Sequence, residues 1–164
     1  MNYKIVTSAF IASVLFSAIF LVYAGDLYFK TYSLAHGVRI SIQASDIEQS
    51  NSSMVLKNVF LLENPSSLSF KVTYVREEVY DDSNFEKRLG ESYIARFSGD
   101  YVVFVMGLSN STIDMSVSLG EAPSTEDLFI KVYMRFAGIP IIDSMYFTRY
   151  LSLPLNASGE GGIR

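Results

Sequence analysis

The chain has 164 residues, room for one domain and a short extra element, with 49% hydrophobic and 18% charged residues and a formal net charge of −4. That acidic balance lacks the basic footprint of a nucleic-acid partner, and the absence of cysteine excludes disulfides, thiolate metal sites and cysteine nucleophiles. The core must hold by packing, and the 12 Phe and 11 Tyr favour the pleated, half-buried surfaces of strands.

The first element is the run Ile5 to Ala24, IVTSAFIASVLFSAIFLVYA, which carries no charge. At about 1.5 Å per residue it reaches about 30 Å, the thickness of a bilayer's hydrocarbon core. Residues 1–24 are therefore expected to be a transmembrane anchor. Tyr3 and Tyr23 stand near its ends, where amphipathic rings prefer the interface. Lys4 precedes the run and Asp26 follows it, so the positive-inside rule predicts a single-pass protein of the cell membrane. Its N-terminus would be cytoplasmic and its remainder extracytoplasmic, although Lys30 and Arg39 on the far side weigh against that orientation. A cleaved signal peptide is the alternative, since Val22-Tyr23-Ala24 before Gly25 resembles a cleavage site. The apolar run exceeds the usual signal-peptide core, and both readings export the downstream domain. Ala9, Ser13 and Ser17 recur every four residues, a small-residue stripe of the kind that lets helices approach in lipid. Residues 25–37 read as a linker holding the sole histidine, His36.

From Val38 the period becomes two. Val38–Ala44, Leu68–Tyr74, Ile113–Leu119 and Leu128–Phe136 alternate apolar with polar residues, as strands with one buried face do. Met54–Leu62 is mostly apolar. Tyr101–Leu108 is apolar on both phases and reads as a central strand covered on both sides. Turn signals separate the runs: Glu48–Ser53, Asn64–Ser67, Asp81–Asn84, Ser98–Asp100, Ser109–Thr112, Gly120–Thr125 and Gly138–Pro140. The prediction is an all-β antiparallel sandwich of seven or eight strands over residues 38–155, with a polar, Gly-rich tail at 156–164. Leu68, Phe70, Val72, Tyr74, Val103, Val105, Ile113, Met115, Val117, Ile130, Val132 and Met134 are expected in the core.

Catalytic chemistry finds little support. A single histidine without cysteine or clustered carboxylates cannot build a metal site, and no residue marks a nucleophile for a triad. Glu77, Glu78, Asp81, Asp82 and Glu86 form an acidic cluster, and Asp82, Asn84 and Glu86 have the alternate spacing of a calcium loop. Lys87 and Tyr93 stand where such a loop needs Gly and Glu, so the cluster reads as a solvated turn. Three sequons, at Asn51, Asn110 and Asn156, are candidate glycosylation sites in predicted turns or the tail. At Asn64-Pro65 proline should stop the preceding strand, and Asn64 should cap the turn, a structural role that fixes the register of the next strand.

Two stretches resemble the late embryogenesis abundant family 2 domain, also called the water-stress and hypersensitive-response (WHy) domain. They are Val59-Phe60-Leu61-Leu62-Glu63-Asn64-Pro65 with Leu68–Tyr80, and the hairpin Leu128–Leu155 turning at Gly138-Ile139-Pro140 and ending near Pro154. Glu91–Glu126 shows no clear signature of that family. The resemblance implies an immunoglobulin-like sandwich without enzymatic activity, associated with stress protection and membranes. The functional expectation is a non-enzymatic, membrane-anchored extracytoplasmic module with a protective or binding role at the cell envelope. The alternative is an accessory structural subunit of a larger membrane or cell-surface complex. Its partners would be the bilayer and membrane or surface proteins, with no nucleic acid and no cofactor.

Overall fold

The computed structural model describes residues 3–50, 53–96, 99–140 and 142–155. Helix α1 (Tyr3–Gly37) leads into β1 (Arg39–Ser50), β2 (Ser53–Asn64), β3 (Phe70–Tyr80), β4 (Arg88–Ala95), β5 (Val103–Val105), β6 (Ser109–Leu119), β7 (Asp127–Ala137) and β8 (Ser144–Pro154). The strands form an antiparallel sandwich. One sheet has the order β1-β2-β6, and the other β4-β3-β7-β8 with β5 also paired to β3.

Among the described residues, α1 is the one helix long and apolar enough to cross a membrane. Its large apolar side chains from Ile5 to Tyr23 are exposed. The predicted linker at 25–37 is instead the continuation of this helix. No proline interrupts it, Lys30 and Asp26 pair at 2.6 Å across one turn, and the His36 ring stacks on Tyr32 at 4.1 Å. Thr31 and Leu34 are buried, and Leu34 and Val38 join the hydrophobic core. At the end of the helix Pro65 packs against Gly37. A Cβ there would stand 2.7 Å from Pro65 Cγ.

Alternation built the core largely as expected. Phe70, Val72, Val105, Ile113, Met115, Val117, Ile130, Val132 and Met134 are all buried. Phe70, Phe136 and Phe147 stack at 4.2 and 4.3 Å between ring centres. Leu68, Tyr74 and Val103 are only half-buried. For Tyr74 the reason is a β-bulge: the register of β3 against β7 shifts between Val72 and Tyr74. A one-residue slip reverses every later side chain. Beyond Thr73 the inward residues are Val75, Glu77 and Val79, while Tyr74 and Arg76 face out. The bulge is held from both sides: the Arg96 amide donates to the Thr73 carbonyl at 2.9 Å, and the Val102 amide to that of Val72 at 2.7 Å.

Tyr101–Leu108 is not a central strand. β7 occupies one edge of β3 and β4 takes Tyr74–Tyr80 on the other, leaving Phe70–Val72 for the three residues of β5. Val105 alone of this run is buried, while Tyr101, Phe104, Met106 and Leu108 are exposed. The expected turn at Ser109–Thr112 is also displaced. β2 continues to Asn64 and pairs it with Ser109, so the chain turns at Gly107-Leu108.

The bulge sends a carboxylate inward. Glu77 is fully buried, and Asn58 Nδ2 of the opposite sheet donates to its Oε1. The Ser45 hydroxyl donates to Asn58 Oδ1 at 2.6 Å, so a polar bridge crosses the core. Glu77 Oε2 is buried with no hydrogen-bond partner. Burial pushes the Glu77 carboxyl up to about 7, against the opposing effect of the Asn58 hydrogen bond. The folded domain therefore favours neutral Glu77. This contribution is fully present below the ordinary carboxyl value near 4.5 and is lost as pH rises through about 7. Glu77→Gln should flatten the fall in stability between pH 5 and pH 8 and raise stability at pH 8 by up to about 3 kcal/mol, read by denaturant titration.

Asn64 ties the end of β2 to two neighbouring segments. Its Oδ1 accepts the Ser66 amide at 3.1 Å, while Nδ2 donates to the carbonyls of Leu68 at 2.8 Å and Met106 at 2.9 Å. Asn64→Ala leaves these groups without partners and should cost about 2 kcal/mol, measured as a lowered denaturation midpoint with unchanged slope.

Candidate functional site

Strands with one buried face leave the other for solvent, and composition separates the two outer faces of the sandwich. Along β6 the outward residues are Asn110, Thr112, Asp114, Ser116 and Ser118. Along β7 they are Phe129, Lys131, Tyr133 and Arg135, and on β3, past the bulge, Tyr74, Arg76 and Glu78. Register brings these into a checkerboard. Arg76 stands between Tyr93 and Tyr133, and Arg135 stands between Tyr74 and Tyr146.

The tyrosines form a diagonal band over β4, β3, β7 and β8. Tyr74 lies 6.4 Å from Tyr93 and 6.0 Å edge-on from Tyr133, and Tyr133 stacks on Tyr146 at 5.6 Å. The Arg135 guanidinium lies 5.9 Å from the Tyr146 ring centre and Lys131 Nζ 5.9 Å from that of Tyr150. Tyr93 remains 67% exposed, and Tyr146 and Tyr150 59% each, so the band presents its rings to solvent. An open hollow of about 540 Å³ lies over it, lined by Thr73, Tyr74, Arg76, Glu78, Arg96, Lys131, Tyr133, Arg135 and Tyr146.

Charge is divided along this face. In its upper half Arg76 pairs with Glu78 at 2.5 Å and Glu91 at 2.8 Å, Arg88 pairs with Glu91 at 2.7 Å, and Lys131 lies 3.8 Å from Glu78. The Tyr80 hydroxyl donates to Glu78 at 2.9 Å, and burial together with that carboxylate raises its ionisation above the ordinary range. The lower half holds Lys71, Arg96 and Arg135 around a second hollow of about 310 Å³, with Asp100 the one acid in its lining. Arg135 Nε is buried there without a partner. The chemistry on offer is that of recognition: rings present apolar faces, and guanidinium groups present paired donors for carboxylate or phosphate.

The residues singled out from the sequence lie elsewhere. The acidic cluster is dispersed, with Glu77 in the core and Glu78 on the Tyr/Arg face. Asp81 accepts the Ser124 amide at 2.8 Å and pairs with Lys87 at 2.9 Å, and Lys87 and then Ser124 hold its carboxyl well below the usual range. Asp82 accepts the amides of Lys87 at 2.6 Å, Glu86 at 3.2 Å and Asn84 at 2.9 Å, which closes a turn. Among the described residues no three His, Cys, Asp or Glu side chains converge to hold a metal. His36 Nδ1 donates to the Tyr32 carbonyl at 3.2 Å at the end of α1. Ala9, Ser13 and Ser17 are exposed along α1, and the Ser17 hydroxyl donates to the Ser13 carbonyl at 2.9 Å. Asn110 is exposed but lies in β6 opposite Glu63, not in a turn, because the chain reverses before it. Asn51 and Asn156 lie outside the described residues.

Alternation alone assigned Lys131, Tyr133 and Arg135 to solvent and gave them no role. The available signal was composition, since Tyr and Arg in place of Ser and Thr on an outward phase mark a contact surface.

No family profile and no curated protein sequence matches the chain. Solved structures do. The X-ray structure of a structural-genomics target shares 11% identity over 79% of this chain and 95% of its own, with a TM-score of 0.54. A crystal structure assigned to ApaA from Bordetella pertussis has 14% identity, covers 72% and 93% of the two chains, and has a TM-score of 0.49. A solution structure assigned to a late embryogenesis abundant protein has 12% identity, covers 84% and 87%, and has a TM-score of 0.46. At these identities the likeness is one of fold: the chain is a β-sandwich preceded by a long apolar helix.

Proposed function

We propose that this chain is a non-enzymatic, membrane-anchored module that holds its β-sandwich on the extracytoplasmic side and binds a membrane or surface protein there through the Tyr/Arg face. The observation that carries this reading is the junction of α1 with the sandwich. The helix runs unbroken from its exposed apolar stretch into the domain, and its last turns enter the core through Leu34, with Val38 following just past its end. The junction is short and partly buried, which suits presentation of a face close to the apolar stretch. Tyr and Arg are the residues most enriched at the energetic centres of protein interfaces, which favours a protein partner. The same composition suits the accessory-subunit role.

Protease added to intact cells should remove the domain. Full protection in intact cells, lost on lysis, would place it in the cytoplasm and overturn the orientation. The Tyr133→Ala/Arg135→Ala double variant should leave the domain folded, because each of the cross-strand pairs these two outward residues of β7 make, Tyr133 with Arg76 and Thr148 and Arg135 with Tyr74 and Tyr146, contributes only about 0.2–1 kcal/mol. It should also abolish the partner that co-purifies with the wild-type chain in mild detergent. Retention of the same partner would remove this face from the function.

A further inference from the structure

The end of the sandwich at which α1 enters holds, among the described residues, the connections at 65–69, 106–108, 138–140 and 142–143. The contacts fix their place. Ser66 Oγ donates to the Lys30 carbonyl at 3.4 Å, and the Leu108 amide donates to the Ser66 carbonyl at 2.8 Å. Ala137, which opens the third loop, pairs with Lys71 next to them. These loops carry exposed aliphatic side chains: Met106 at 61%, Leu108 at 73% and Ile142 at 39%. Tyr28, Phe29 and Tyr32 are exposed on the adjoining turns of α1.

Leu108 is the most informative of these. Its φ of 55° lies in the left-handed region, which disfavours residues with a side chain and is better suited to Gly or Asn. The residue before it is Gly107, where a Cβ would stand 2.3 Å from the Ser67 carbonyl oxygen. The loop is therefore held tightly in a shape that thrusts an apolar side chain outward. Neither packing nor backbone preference favours leucine there, and together with Met106 and Ile142 it makes an apolar tip rather than a lone exposed residue.

Height points to what this tip meets. Lys30 lies six residues beyond Ala24, about 9 Å along the axis. The headgroup layer is about 5–8 Å deep on each side of the hydrocarbon, and at an ordinary helix tilt of about 20° the Lys30 level stands at the outer edge of that layer, within reach of side chains that project from the loops. The only charges on this stretch of helix, Asp26 and Lys30, neutralise each other. Charge gives the same direction. Arg39, Lys71, Arg96 and Arg135 stand toward this end and outnumber Glu63, Asp100 and Asp143, while at the opposite end Asp81, Asp82, Glu86, Glu121, Glu126 and Asp127 outnumber Lys87 and Arg88. An acidic end is repelled by anionic lipid and a basic apolar end is drawn to it.

We infer that the loop tip Met106-Gly107-Leu108, with Ile142, is a second membrane contact: it inserts into the interfacial layer beside the anchor and seats the sandwich upright on the bilayer. This inference rests on the anchored reading above, and the test separates the two. The full chain, which has no native cysteine, is reconstituted into phosphatidylcholine/phosphatidylglycerol vesicles with single nitroxide labels at Leu15→Cys, Asn110→Cys or Ser83→Cys. Leu15 reports the anchor, Asn110 the loop end and Ser83 the far end. Collisions with oxygen relative to a water-soluble nickel chelate should be several-fold more favoured at 110 than at 83, with 15 lipid-like. In the Met106→Ser/Leu108→Asn background, which suits the left-handed backbone and keeps the fold, the value at 110 should drop to that at 83. A lipid-like label at 15 with equal, water-like labels at 110 and 83 in the wild-type chain would overturn the seating and leave the anchor standing. An unchanged value at 110 in the substituted background, with the melting temperature maintained, would overturn the role of the loop tip. A water-like label at 15 would overturn the anchored reading and the seating with it.

Discussion

The bulge at Thr73 decides what each face of the larger sheet becomes. Before it, β3 turns Phe70 and Val72 into the core; after it, the inward phase passes to Val75, Glu77 and Val79. An uninterrupted alternation would have put Tyr74, Arg76 and Glu78 inside and Glu77 in water. Two buried charged side chains facing an apolar β7 would then have carried a large desolvation cost. The slip exchanges them for a single carboxylate, neutralised by burial and bridged to Asn58. It also frees Tyr74 to join the ring band and sets Arg76 between Tyr93 and Tyr133. The bulge is stable because Arg96 and Val102, flanking the β4–β5 connection, donate amides to its carbonyls, which also limits β5 to three residues.

The second organising feature is the closed end of the sandwich. Leu34 and Val38 complete the core there, Gly37 admits the Pro65 ring, and Asn64 gathers the β2–β3 and β5–β6 turns into one hydrogen-bonded unit. A helix that merely preceded the domain would swing about a linker. This one buries Leu34 of its last turns in the core and is followed directly by the core residue Val38.

The two ends of the sandwich differ in kind. Apolar tips and a basic balance surround the helix, whereas the far end is acidic and closed by Asp81 and Asp82, whose carboxylates are consumed by Lys87, Ser124 and the amides of their own turn. Acid and base stability have separate origins in this arrangement. Asp81 contributes above the ordinary carboxyl range and Glu77 below its elevated one, so the two carboxylates favour mildly acidic conditions together.

The sequence by itself determined the apolar run at residues 5–24, the sandwich class and nine of its core positions, because period, charge exclusion and turn residues are local properties of the chain. It also located the end of β2 at Asn64-Pro65, since proline cannot extend a paired strand. Tertiary structure alone decided the rest. Residues 25–37 became helix because Leu34 finds a core to enter, which no local propensity announces. Tyr101–Leu108 was apolar on both phases for two unrelated reasons: Val105 fills the core, while Met106 and Leu108 stand out at the helix end. The phase of β3 after Thr73 depended on which register β4, β5 and β7 could share. The Tyr/Arg face, assembled from four strands and a slip of one residue, was legible only once that register existed.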